Sequence, residues 1–175
     1  MKSQFTNKQA LAALKYLVPI LAKYPFRWCI SGGFACHVYG VSRPIEEIHI
    51  DLEVDKDDPR FADFLREVRP FTTLPFQIWV DQNYDHYVME VTVDHCILSI
   101  CPTKNLHMFD RGTGKTKLFY KNGIPQPERV VFEGLTLPLL PKQWVIKMKQ
   151  ALVKKRARDR SDIVAMERLR DVGNR

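Results

Sequence analysis

Residues 28–54 read WCISGGFACHVYGVSRPIEEIHIDLEV, and the rest of the chain is organised around this stretch. It begins with a short apolar run that ends in Ser31, Gly32 and Gly33, and a short predicted helix follows at residues 34–39. Two glycines ahead of a helix expose backbone N–H groups at a helix N-terminus, which favours anionic ligands such as phosphate. The first half of the stretch therefore predicts a phosphate-binding loop.

In the second half of the stretch, where a strand is predicted at residues 46–54, ionisable and apolar side chains alternate strictly from Glu47 to Val54. A period of two indicates a strand with one buried and one polar face. Four ionisable side chains in a row are more than solubility requires, and a phosphate loop beside such a strand suggests nucleotide chemistry. The apolar face carries Ile48, Ile50, Leu52 and Val54, and the polar face carries Glu47, His49, Asp51 and Glu53.

The length and composition of the chain favour one globular domain. With 175 residues, 45% of them hydrophobic, the chain can bury one core. We expect a single domain over residues 1–175, with its core at about 7–135 and a C-terminal pair of helices at about 141–172. The apolar runs are too short for a membrane span. The N-terminal sequence lacks the apolar region of a signal peptide, so we expect a cytoplasmic protein with free cysteines.

The formal net charge of +7 favours anionic partners, namely nucleotides, nucleic acid or acidic protein surfaces. Much of this charge lies in residues 147–160. Two interpretations remain open for that segment: a solvated helix face with its linker, or a lid of cations over a polyphosphate.

The order of predicted elements indicates an α+β fold, with a mixed and mainly antiparallel sheet and helices packed on one side. Caps, prolines and periodicity give the bounds of each element. Helices are predicted at residues 7–23, 34–39, 58–68, 142–154 and 161–171, and strands at 27–31, 46–54, 76–80, 86–93, 96–101, 117–120 and 129–132.

Two segments resemble the nucleotidyltransferase superfamily with the DNA polymerase beta fold. Residues 31–54 are similar to its pattern of two glycines after a strand, a short helix, and acid-x-acid on the next strand, with Arg43 four residues before Glu47. Residues 145–169 resemble a recurrent tail with a lysine-bearing helix followed by an arginine and two aspartates. The tail positions here are Lys149, Arg158, Asp159 and Asp162.

The most similar branch is that of the small bacterial aminoglycoside and lincosamide adenylyltransferases and their toxin-like relatives. The resemblance implies that carboxylates hold divalent metal ions, Mg²⁺ or Mn²⁺, which bind a nucleoside triphosphate. A nucleotide monophosphate would be transferred to a hydroxyl or phosphate acceptor: a small molecule, an RNA end or a protein side chain. The implied nucleotide-binding residues are Ser31, Gly32, Gly33, Arg43, Lys147 and Lys149.

The metal-ligand pattern departs from that of the family. Glu47 takes the place of the first aspartate, and His49 replaces the second, although imidazole suits Zn²⁺, Mn²⁺ or Fe²⁺ better than Mg²⁺. Asp51 shares their face but lies about 6.6 Å farther along the strand. The third carboxylate would fall at Ser99, with Glu90 or Asp94 as substitutes.

Three functional hypotheses therefore remain. One is an active enzyme with Glu47, His49 and Asp51 as its catalytic residues and a metal on Glu47 and His49. The second is a catalytically silent module that binds a nucleotide or a partner. The third is a basic nucleic-acid-binding protein, whose binding would depend steeply on salt and need no metal.

Other motifs carry less weight. The run RGTGKT at residues 111–116 invites a P-loop interpretation, but that pattern requires a glycine where Phe109 stands. A helix-turn-helix in the last two helices would need a shorter linker than residues 153–160. The histidines show no spacing typical of zinc proteases.

Overall fold

The computed structural model describes residues 4–80, 84–104, 107–110, 113–118, 120–152 and 157–172. Within these residues the chain forms five α-helices, one 3₁₀ turn at Arg69–Phe71 and nine strands. The helices are α1 Asn7–Leu21, α2 Gly32–Val38, α3 Pro59–Val68, α4 Lys142–Leu152 and α5 Ala157–Val172. The strands are β1 Trp28–Ser31, β2 Ile48–Leu52, β3 Thr72–Val80, β4 Tyr84–Val93, β5 Cys96–Pro102, β6 His107–Asp110, β7 Lys115–Leu118, β8 Glu128–Phe132 and β9 Leu135–Leu139.

The strands form one sheet in the order β7-β6-β4-β5-β2-β1-β9-β8, with β3 also paired to β4. The pairs β2–β5 and β1–β9 are parallel, and the other pairs among the described strands are antiparallel. The predicted fold class, α+β with a mixed and mainly antiparallel sheet, is confirmed.

The register of the central strand β2 positions the polar residues of interest. Ile48, Ile50 and Leu52 are buried in the main hydrophobic core, so the other face of β2 must carry His49 and Asp51. His49 lies opposite Ser31 of β1 and Ser99 of β5, while Asp51 lies opposite Cys29 and Cys101.

Helix α1 illustrates how local sequence sets an element that packs on this core. Thr6 caps the helix, and a reciprocal pair of hydrogen bonds with Gln9 completes a capping box. Leu14 and Leu17 are fully buried. The helix ends at Leu21, two residues before its predicted end.

Several predicted bounds are corrected by the structure. Strands β6 and β9 were not predicted, because β6 has only four residues and Pro138 interrupts the sequence signal of β9. Likewise β3 begins at Thr72 rather than at residue 76, since Pro75 obscures its first half. Helix α5 begins at Ala157, four residues before its predicted start.

The P-loop interpretation fails on local structure. Residues 115–118 form strand β7, which pairs with β6, so no helix follows Gly114 as a P-loop requires. Cys29, Cys36, Cys96 and Cys101 are buried free thiols, as predicted.

No helix in the described part of the chain combines the length and apolar character needed to cross a membrane.

Candidate functional site

A cleft lies where the β1–α2 junction and the segment before β2 face the two C-terminal helices. The cleft is lined by residues that the sequence analysis matched to the nucleotidyltransferase pattern, and they come from four different parts of the chain. They are Gly32, Gly33, Arg43, Glu47, His49, Lys149, Arg158 and Asp159.

Both glycines are required by their surroundings within the protein. Gly32 has a φ of +66°, a left-handed conformation that L side chains rarely adopt, and a β-carbon there would lie 3.1 Å from Cδ2 of His49. A β-carbon on Gly33 would lie 2.7 Å from Cζ of Arg43. The glycine pair therefore allows a histidine and an arginine to pack directly on the loop backbone.

Glu47 and His49 face each other in the cleft. Nε2 of His49 lies 2.9 Å from Oε1 of Glu47, and both side chains are partly buried. Two adjacent ligands of an octahedral ion at about 2.1 Å are about 3.0 Å apart. The separation of this pair is close to that value, but the two atoms are joined by a hydrogen bond that a bound ion would have to replace. An imidazole ligand would favour Mn²⁺ over Mg²⁺.

The described residues include no group of three His, Cys, Asp or Glu side chains placed to hold a metal. Ser99, beside His49 on β5, is buried and offers a hydroxyl rather than a carboxylate. Glu90 lies next to Ser99 on β4, and Asp94 lies in the β4–β5 turn, where its carbonyl accepts a hydrogen bond from Gln9. The described residues therefore supply no carboxylate set for a two-metal centre, and a single ion on this pair would need substrate and water oxygens to complete its coordination.

Asp51 lies beneath the cleft rather than on its surface. Its side chain is 2% exposed, its Oδ2 accepts a hydrogen bond of 2.6 Å from the Tyr120 hydroxyl, and the Ser31 side chain also hydrogen-bonds to it. Burial raises the pKa of the Asp51 carboxyl above its ordinary value. Neither Asp51 nor Ser31 lines the cleft.

A network of buried charges forms the wall of the cleft opposite the strand. Nζ of Lys149 lies 2.8 Å from Asp159 and 2.7 Å from Asp162, and Arg43 forms an ion pair with Asp162. These side chains are between 5% and 15% exposed, so loss of one member would leave a charge that water cannot solvate. The network links the segment before β2 to both C-terminal helices.

Lys147 takes a different position from Lys149 although both belong to α4. Its Nζ lies 4.9 Å from the centre of the Trp144 ring, and the side chain is exposed. It does not line the cleft.

Arg158, Glu46 and Asp159 also line the cleft, although the sequence analysis did not predict them as site residues. Arg158 donates to Glu46 at 2.7 Å, and this contact joins positions 112 residues apart. The Oδ2 atom of Asp159 is buried without a hydrogen-bond partner among the described residues. The tail resemblance pointed to Arg158 and Asp159, whereas only the fold shows the role of Glu46.

The sequence matches no protein-family profile and no curated protein. Solved structures do match. TM1012 of Thermotoga maritima, provisionally described as a nucleotidyltransferase, superposes with a TM-score of 0.67 at 16% identity, over 98% of this chain and 96% of that chain. The chain has the nucleotidyltransferase fold.

Two further structures support this assignment of the nucleotidyltransferase fold. An antigenic nucleotidyltransferase-like protein from Paracoccidioides brasiliensis matches with a TM-score of 0.59 at 13% identity, over 94% of this chain and 78% of that one. The antibiotic-resistance factor ANT(2'')-Ia, solved with adenylyl-2''-tobramycin, matches with a TM-score of 0.57 at 12% identity, over 95% and 97% of the two chains. Identities this low establish the fold alone.

Proposed function

We propose that the protein is a nucleotidyltransferase that binds a nucleoside triphosphate in this cleft and transfers a nucleotide monophosphate to a hydroxyl or phosphate acceptor. The observation that carries the proposal is the convergence of Gly32 and Gly33, the Glu47–His49 pair and Lys149 on one cleft of a nucleotidyltransferase fold. The fold neighbours support the general kind of reaction. The acceptor is a small molecule, an RNA end or a protein side chain.

The roles follow from position and charge. Because Gly32 and Gly33 have no side chains, His49 and Arg43 lie directly against the loop backbone, where Arg43 can meet a phosphate at the start of α2. Arg43 and Lys149 lie at the same cleft and supply positive charge for the phosphates. In the transfer, an acceptor oxygen bonds to the α-phosphorus, the bond to the bridging oxygen breaks, and pyrophosphate leaves; a hydroxyl acceptor releases its proton to water. Catalysis of this kind depends on positioning and charge stabilisation.

Glu47 and His49 would hold one divalent ion. When bound, that ion would supply charge neutralisation for the triphosphate. The carboxylate and imidazole of this pair are joined by a hydrogen bond of 2.9 Å, which a bound ion would replace, and both residues line the cleft.

A second candidate function is a catalytically silent nucleotide-binding module, and a specific observation favours it. Ser99 provides no carboxylate, and Asp51 is buried under Tyr120. Of the three acidic or histidine side chains proposed as catalytic, Glu47 and His49 line the cleft, and only Glu47 is a carboxylate. A site of this composition retains the groups for binding while lacking the carboxylates that the resemblance assigns to two-metal transfer.

Calorimetry and a transfer assay separate these functions. The full chain is titrated with ATP, GTP, CTP and UTP, each with Mg²⁺ and then with Mn²⁺. We expect at least one triphosphate to bind, more tightly with Mn²⁺. Incubation of that triphosphate, labelled at its α-phosphate, with candidate acceptors should then yield labelled product and pyrophosphate.

Binding without transfer would support the silent module. Absence of triphosphate binding with either metal would contradict both functions. Metal-independent binding of RNA that weakens steeply with salt would instead support the nucleic-acid-binding alternative.

Lys149→Met and Lys147→Met form a matched pair for the same assay. Both lysines belong to α4, but only Lys149 lines the cleft. We expect the Lys149 variant to lose triphosphate affinity and the Lys147 variant to keep it. Loss of Lys149 leaves Asp159 and Asp162 without this cation, so the Lys149 variant should also melt at a lower temperature. The affinities are therefore compared at a temperature where melting curves show both variants folded.

A further inference from the structure

Each cation that lines the cleft in the described residues is already paired with a carboxylate. Arg43 pairs with Asp162, Lys149 pairs with both Asp159 and Asp162, and Arg158 pairs with Glu46. The cleft wall is therefore close to charge balance before any ligand enters. A polyphosphate must compete for these cations with the carboxylates of the protein.

The three cations differ in how firmly they are held. Arg43 and Lys149 are 15% and 7% exposed and belong to the buried network, whereas Arg158 is 52% exposed and its partner Glu46 is 29% exposed. Exposed ion pairs are weak because water solvates both charges and the side chains lose freedom when they pair. Arg158 is the cleft cation that can change partners most easily.

We propose that Arg158 is an anion-binding residue of the nucleotide cleft and that Glu46 is its internal competitor, displaced when the phosphates of a ligand enter. This inference rests on the proposed nucleotide-binding function. The pair joins the N-terminal turn of α5 to the segment just before β2, and both side chains line the cleft.

The chemistry of the two anions favours the exchange. Glu46 offers one negative charge, and within the described part of the chain it accepts one hydrogen bond, of 2.7 Å from Nη1 of Arg158. A triphosphate carries several negative charges and can accept two parallel hydrogen bonds from one guanidinium group. Glu46 therefore weakens phosphate binding by occupying Arg158, and its removal should strengthen it.

The predicted change in triphosphate affinity has an unusual direction for a substitution in a binding site. Most changes that disturb a site lower its affinity, whereas Glu46→Gln should raise the affinity for a triphosphate by about two- to fivefold, the size of an exposed ion pair. Arg158→Gln should lower it by a similar or larger factor. Arg160→Gln is the matched control, because Arg160 is an exposed residue of the same helix that does not line the cleft.

A double-mutant cycle tests whether Glu46 acts through Arg158. Affinities for ATP and for inorganic tripolyphosphate are measured by calorimetry on the full-length wild type, Glu46→Gln, Arg158→Gln and the double variant. We expect Glu46→Gln to strengthen binding in the wild type and to have no effect once Arg158 is replaced. A general charge effect of Glu46 would persist in the Arg158→Gln background and would overturn the inference.

The remaining outcomes are also decisive. A wild type that binds a triphosphate but shows no gain, or a loss, in Glu46→Gln would overturn this inference and leave the proposed function intact. A wild type and a Glu46→Gln variant that both bind no triphosphate would overturn the two together. Both substituted side chains are partly exposed, so melting curves should show the variants folded as wild type.

Discussion

The guanidinium group of Arg43 lies where a side chain on Gly33 would begin, with Cζ 2.7 Å from the position of a β-carbon. Arg43 also pairs with Asp162 of α5. The glycine loop, the segment before β2 and the last helix are thus held together through one arginine. A side chain at Gly33 would displace that arginine before it met any ligand.

Replacement of Gly33 by alanine should therefore destabilise the protein and weaken triphosphate binding. Alanine favours the helical conformation of α2, but the clash with Arg43 costs more, so we expect a net loss of about 1 kcal/mol. Urea denaturation measures the stability and calorimetry the affinity. In an Arg43→Ala background the same substitution should become neutral or stabilising, and a loss of equal size there would contradict the packing argument.

The buried network makes a second prediction. Asp162→Ala removes a carboxylate that compensates both Lys149 and Arg43, and we expect it to lower the free energy of unfolding by about 3–5 kcal/mol. Asp57→Ala is the control, because the Asp57–Lys56 pair is exposed and should contribute little. Equal effects of the two substitutions in chemical denaturation would show that the network does not stabilise the fold.

The local part of the site could be predicted from the sequence. Alternation with a period of two placed Glu47, His49 and Asp51 on one face of a strand. The structure shows His49 and Asp51 on one face of β2, whereas Glu47 lies just before its first residue, Ile48. The spacing also placed the two glycines directly before a helix, and in the structure they are the first two residues of α2, which follows the N-cap Ser31. These features depend on neighbours within a few residues, and local patterns are therefore sufficient to predict them.

The long-range contacts that bury Asp51 and pair Glu46 could not be predicted from the sequence. Tyr120, 69 residues from Asp51 in the chain, covers the Asp51 carboxylate, and Arg158 meets Glu46 across 112 residues. No periodicity encodes such pairs, because they depend on how the sheet and the C-terminal helices pack. The prediction of Asp51 as a catalytic residue therefore remains a prediction, and the structure adds that its carboxylate is buried and hydrogen-bonded to Tyr120 and Ser31.

The burial of Asp51 predicts an unusual dependence of stability on pH. Burial raises the pKa of this carboxyl in the folded state. The folded state then holds its proton at a higher pH than the unfolded chain, whose carboxyl titrates near about 3.9. The contribution of Asp51 to stability should therefore fall as the pH rises from about 4 through the raised pKa.

Two substitutions at this position test that sign. Asp51→Asn keeps an acceptor for the Tyr120 hydroxyl without a charge, so it should flatten this part of the pH profile and preserve or raise stability at pH 7. Asp51→Ala removes the acceptor and should cost about 1–3 kcal/mol. Urea denaturation from pH 4 to 8 distinguishes them, and a large loss of stability in Asp51→Asn would show that the negative charge itself is required.

His37 should make the stability of the protein fall as the pH decreases, which is the opposite direction to the effect of Asp51. Burial first, and the charge of Arg43 second, lower the pKa of His37 below its ordinary value. The unfolded chain therefore takes up this proton first, and stability should be lost as the pH falls below about 6.5 toward the lowered pKa. His37→Gln should remove this loss while it keeps a donor for Asn7, whereas His95→Asn, at an exposed turn, should not.

The metal preference of the Glu47–His49 pair gives the last prediction. Imidazole binds Mn²⁺ better than Mg²⁺, whereas a carboxylate at the same position suits Mg²⁺. We expect the wild type to bind a triphosphate more tightly with Mn²⁺ and His49→Asp to reverse that order in calorimetry. His95→Asp, which makes the same substitution outside the cleft, should change neither affinity. Weaker binding of the His49 variant with both metals would show that the cleft depends on the imidazole itself, through its 2.9 Å contact with Glu47 and its packing against Gly32.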